Sequence, residues 1–63
     1  MKLTVSPDEL TEIIERKACS IIRKMEVEIG EPLIFQAAGD ERYATRTCIR
    51  VKKKQDIAII YFE

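Results

Sequence analysis

Cations crowd the final third of the chain. Arg42, Arg46, Arg50 and Lys52 recur at spacings of two and four, Lys53 and Lys54 extend the series, and Tyr61 follows. Arginine presents a planar fork that pairs bidentately with phosphate or carboxylate. On one face of a strand, residues two and four apart stand about 7 and 13 Å apart. That spacing suits a sugar-phosphate backbone or a row of acids on a protein. An aromatic beside cations also suits single-stranded nucleic acid. Arg42, Arg46, Arg50, Lys52, Lys53, Lys54 and Tyr61 are therefore the expected binding residues, for an acidic protein surface or for nucleic acid. A merely solvated sheet face, with lysines at a turn to discourage edge pairing, would show the same pattern.

Other chemistry finds less support. The chain has no His, and its two cysteines, Cys19 and Cys48, are not in C-x-x-C spacing, so no zinc or redox site is expected. Asp8, Glu12 and Glu15 approach one another on a helix, where a solvated face with Glu12 paired to Arg16 is the expectation rather than a metal site. Without a histidine base, neither cysteine reads as a nucleophile. No cofactor and no enzymatic activity are expected. Free thiols fit the reducing cytoplasm. The longest apolar run is six residues, so no membrane span or secretory signal is expected.

The elements that position these residues follow from local signals. Ser6-Pro7-Asp8-Glu9 reads as a helix start: Ser6 caps, Pro7 opens the first turn and Glu9 completes a capping box. Val5 and Leu10 are placed as a hydrophobic staple. Leu10, Ile14, Ala18, Ile21, Ile22, Met25 and Ile29 share one helical face, which predicts a single long amphipathic helix from Pro7 to about Ile29, stopped by Gly30 and Pro32. Leu33 to Ala37 then reads as a strand, and Ala38–Glu41 as a turn. Arg42 to Lys53 alternates as a strand. Tyr43, Thr45, Thr47, Ile49 and Val51 take one face; Arg42, Ala44, Arg46, Cys48, Arg50 and Lys52 take the other. Ile57–Phe62 is the last strand, and Lys2–Val5 reads as a further short one. The expected fold is α+β, a single domain over residues 1–63: the long helix on a three-stranded antiparallel meander, (β)αβββ. The αβββ order resembles the front of a double-stranded-RNA-binding domain. That family closes with a second helix after its last strand, which this sequence does not show, so no residue roles are carried over.

Association is the functional expectation. Ile57-Ala58-Ile59-Ile60-Tyr61-Phe62 is apolar at every position, as in a strand buried on both faces. So short a chain has little to cover it with. Either a second chain does so through Ile57, Ile59 and Tyr61, giving a homodimer, or residues 2–5 pair in parallel with it and make it central. Charge is also divided. Residues 1–41 hold five Lys/Arg against nine Asp/Glu, a net of −4; residues 42–63 hold six against two, a net of +4. The expectation is a small protein-interaction module (a regulator, inhibitor, adaptor or structural subunit), with nucleic-acid binding as the alternative.

Overall fold

The computed structural model describes residues 1–63. In order, the elements are β1 (Lys2–Val5), α1 (Pro7–Ile14), β2 (Ser20–Arg23), β3 (Pro32–Ala37), β4 (Tyr43–Lys54) and β5 (Ile57–Phe62). The strands form one mixed sheet in the order β1-β3-β4-β5-β2. β1 runs parallel to β3, and the other three pairings are antiparallel. The chain is thus mostly sheet. The expected long helix on a three-stranded meander does not form, and with it goes the likeness to an αβββ order.

The helix begins as its residues dictate. The Glu9 N–H donates to Ser6 Oγ at 3.1 Å, and the Ser6 N–H donates to Glu9 Oε1 at 3.3 Å, closing the capping box. Val5 and Leu10, the staple pair, are both buried. The helix ends fifteen residues earlier than the periodicity suggests. The Arg16 N–H donates to the Ile13 carbonyl and the Lys17 N–H to the Glu12 carbonyl, at 3.1 and 2.9 Å. With Arg16 at φ +61°, this is a Schellman motif closed without glycine.

Beyond this stop, Ser20–Arg23 serves the sheet. Its register sets Ile21 opposite Ile60, both in the core, and closes the second edge of β5. An Ile-Ile pair fits a helix or a strand equally well; here a strand with one open edge decides. The β-branched pair gains more from packing on a sheet than from a helix it would stiffen. Arg16 pays for this stop, because a residue with a Cβ is strained by about 1 kcal/mol at left-handed φ. Arg16→Gly should therefore raise stability by up to about 1 kcal/mol, a few degrees in Tm. Thermal melting by circular dichroism measures it, and a fall in Tm would mean that the arginine side chain itself holds the turn.

One sheet face is the core wall. Leu3 and Val5 of β1, Leu33, Phe35 and Ala37 of β3, Ala44 and Cys48 of β4, and Ala58, Ile60 and Phe62 of β5 are buried there, beneath Leu10 and Ile13 of the helix. The sheet curls, so that Phe35 and Phe62, two strands apart, come together with ring centroids 4.8 Å apart and planes tilted 44°. Curling is helped by a β-bulge in β4. Cys48 pairs with Phe62 but Arg50 pairs with Tyr61, leaving Ile49 as an extra residue. The terminal run behaves as a central strand, but its second neighbour is β2; Lys2–Val5 pairs with β3 instead. Both edges of β5 are filled within one chain. Its outer side chains, Ile57, Ile59 and Tyr61, remain half-buried.

Candidate binding face

The bulge at Ile49 divides the expected cationic stripe. Before it, even-numbered residues of β4 point to the core side: Ala44 and Cys48 are buried and Arg46 is half-buried. After it, Val51 and Lys53 take the core side, opposite Ile60 and Ala58, while Arg50, Lys52 and Lys54 stand outside, opposite Tyr61, Ile59 and Ile57. Arg46 and Arg50 therefore lie on opposite faces, although straight alternation places them together. A cue exists in the apolar pattern: small or apolar residues fall on even positions at Ala44 and Cys48, then on an odd one at Val51.

The cations on the wrong side of this division are engaged within the chain. Arg42 precedes β4. Its backbone N–H donates to Asp40 Oδ1 at 2.9 Å, its Nη2 reaches Oδ2 at 2.7 Å, and its Nη1 donates to Thr11 Oγ1 at 3.0 Å. These bonds hold the Asp40 carboxyl down at about 2. Arg46 donates from Nη2 to the Ile13 carbonyl at 3.0 Å and from Nη1 to the Thr45 carbonyl at 2.8 Å. It caps the carboxyl end of α1, where a cation meets the negative pole of the helix. Lys53 bonds Glu26 at 3.0 Å, and that bond and charge lower the Glu26 carboxyl. Arg42 and Arg46 are thus structural in this fold, and Lys53 is turned to the other face in an exposed ion pair of little worth, so the three are not parts of one binding stripe.

What remains outside is a coherent surface. Arg50, Lys52 and Lys54 form a row about 13 Å long, all three exposed and none in an ion pair. Directly beside it runs the apolar row Tyr61, Ile59, Ile57, with the Arg50 guanidinium 5.3 Å from the centre of the Tyr61 ring. On the far side Ile22 of β2, 56 % exposed, sits opposite Ile59. Towards the other edge the face continues through Thr45, Thr47, Tyr43 and Ile34 to Thr4 and Lys2. Its charged strand positions are Lys2, Arg50, Lys52 and Lys54, and the one acid beside it is Glu63, which follows β5 and pairs with Thr47. Ile22 and Lys2 were absent from the sequence expectation, because their membership depends on which strands become neighbours.

The cysteines separate as well. Cys48 is buried in the core wall, on the same face of β4 as Arg46 and opposite to Arg50, and Cys19 is exposed in the turn after the helix. Cys19 borders a small pocket with Ile13, Arg16, Arg46 and Phe62, of about 60 Å³, with room for a few waters rather than a substrate. No three Cys, Asp or Glu side chains are grouped to hold a metal ion. No helix is long and apolar enough to cross a membrane. Compared with protein-family models and with curated proteins, the chain matches none.

Proposed function

We propose that the chain is a protein-interaction module that uses the outer sheet face to bind a partner surface carrying an apolar strip flanked by carboxylates. One observation carries the reading: on one face, a cation row without ion-pair partners lies against an apolar row. A contiguous apolar patch marks an interaction surface; here the half-buried Ile57, Ile59 and Tyr61 adjoin the exposed Ile22, and unpaired cations beside them supply orientation and a faster encounter. The apolar row is mainly isoleucine. Aliphatic chains serve a protein partner, whereas stacking bases want free aromatic faces, and one face of Tyr61 lies beneath Arg50.

A twofold dimer through the same residues is disfavoured by charge. An isologous contact sets this face against its own copy, which offers Arg50, Lys52 and Lys54 cations and aliphatic chains to meet rather than a row of carboxylates. Two free thiols, one of them exposed, support placing the chain in a reducing compartment such as the cytoplasm.

Fluorescence anisotropy tests the proposal with two labelled probes. One is a peptide of alternating acidic and aliphatic residues; the other is a single-stranded 20-mer oligonucleotide. The peptide should bind at about 50 mM salt, and Lys52→Glu/Lys54→Glu should weaken it about tenfold or more. Tighter binding of the oligonucleotide, falling steeply between about 50 and 200 mM salt, would replace this reading with the nucleic-acid one. Peptide binding untouched by the double change would place the site elsewhere.

A further inference from the structure

We infer that the surface complementary to the outer sheet face is carried by the chain itself, on the exposed side of α1, and that a second copy docks there helix-on-sheet. This rests on the proposed binding face and names its partner. Leu10 and Ile13 turn α1 towards the core, so its other side faces away from the sheet. On that side Asp8, Glu12 and Glu15 follow one another at i, i+4 and i+7, which places three carboxylates along about 10.5 Å of helix. One residue round, Pro7, Thr11 and Ile14 make a parallel and less polar ridge, with Ile14 39 % exposed. An anionic ridge beside a partly apolar one is the counterpart of a cation row beside an apolar one. The lengths also agree: about 10.5 Å of helix against about 13 Å of strand.

The charges on the helix are available. Asp8 and Glu12 enter no ion pair, and Glu15 meets only Lys17, in an exposed pair of little worth. Arg42, the nearest cation to the middle of the helix, is already neutralised by Asp40. The chain is thus neutral as a whole and polar across its thickness, anionic on the helix and cationic on the outer sheet.

Such a contact joins two different surfaces. It therefore does not close into a dimer unless successive rotations form a ring; it propagates head to tail. A contact of one short helix on three strands is small and belongs among weak, transient interfaces. Association should therefore appear only at high concentration and low salt.

Sedimentation velocity on four proteins, each first checked for native circular dichroism, and on one mixture of two of them tests this. At about 50 mM salt, where charges reach roughly 14 Å, the wild-type average mass should climb with concentration past two chains, and 500 mM salt should reverse the climb. Lys52→Glu/Lys54→Glu silences the sheet face, and Glu12→Lys/Glu15→Lys silences the helix. Each alone should associate about tenfold more weakly and stay near 7.3 kDa. Mixed in equal amounts, the two variants should regain growth as alternating chains, because the native helix of one meets the native sheet of the other and the two charge-reversed surfaces meet in turn. All four changes in one chain should restore growth. A wild type that stays monomeric to about 1 mM, or a mixture that stays monomeric, would overturn the inference. If the acidic peptide still binds the wild type in that case, the binding face stands and only the identity of its partner falls; if neither associates, both fall.

Discussion

Phe62→Ala should remove about half or more of the chain's stability at 25 °C, although Phe62 is the penultimate residue. Its ring is fully buried against Phe35, 4.8 Å away, and so ties the β4–β5–β2 half of the sheet to the β1–β3 half. Truncating a buried Phe costs about 3–5 kcal/mol. A 63-residue domain holds on the order of 3–9 kcal/mol in total. Chain ends ordinarily fray, but this one is bonded on both sides. The Phe62 N–H donates to the Cys19 carbonyl at 3.0 Å, and Thr47 and Glu63 exchange two backbone bonds at 2.9 and 3.1 Å. Phe62→Leu should lose about 1.5 kcal/mol or less, since it keeps most of the volume. Urea titration of the two variants decides the matter. A cost below about 1.5 kcal/mol for the alanine change would show that the two halves close without this ring.

The second large effect separates two arginines that look alike in sequence. Arg46→Glu should destabilise the fold by about 2–3 kcal/mol, while Arg50→Glu should cost less than about 0.5 kcal/mol. Arg46 is half-buried and bonded to the last turn of α1 through the Ile13 carbonyl. Removing a charged donor from a shielded carbonyl costs about 1–3 kcal/mol, and a carboxylate at the negative end of a helix adds repulsion. Arg50 is exposed, and its contact within the chain is the Tyr61 ring at 5.3 Å, worth about 0.5–1 kcal/mol at an exposed site. Part of that returns as the glutamate joins a face of lysines. Denaturant midpoints of the two single variants are the measurement. Equal losses would mean that both arginines are anchored, and the division of β4 into two faces would be wrong.

The same strand shows what the residues reveal and where they mislead. β3, β4 and β5 are legible because alternation and turn residues are local properties: Gly39 takes φ +76° at the expected turn, and Ile57–Phe62 has the expected bounds. The helix start is legible for the same reason, since capping is settled within four residues. The helix end is not. It depends on Arg16 entering a conformation that its residue type disfavours, and on β5 offering an open edge to Ile21 and Ile22. Neither appears in the periodicity of residues 15–29. The candidate site divides in the same way. Arg50 and Lys52 share a face as expected, with Lys54 and Tyr61 joining them, whereas Arg42 and Arg46 are lost to it through Asp40 and the helix end. No glycine or proline announces the bulge that separates them.

That bulge also says something about chain length. Ile49 is the surplus residue of β4: Cys48 and Arg50 already face Phe62 and Tyr61, which are consecutive. Losing Ile49 would therefore heal the ladder and leave Arg50, Lys52 and Lys54 pointing outward. Losing Val51 or Lys52 would throw every later side chain of the strand to the opposite side. The strand has slack at Ile49 and none just beyond it. Removing Ile49 would act on the curl that brings Phe35 to Phe62, since a bulge adds local twist, and would take from the surface only the exposed Ile49 side chain itself, leaving the cation row in place. Shape and surface chemistry, joined everywhere else in this small sheet, can be altered separately at this one residue.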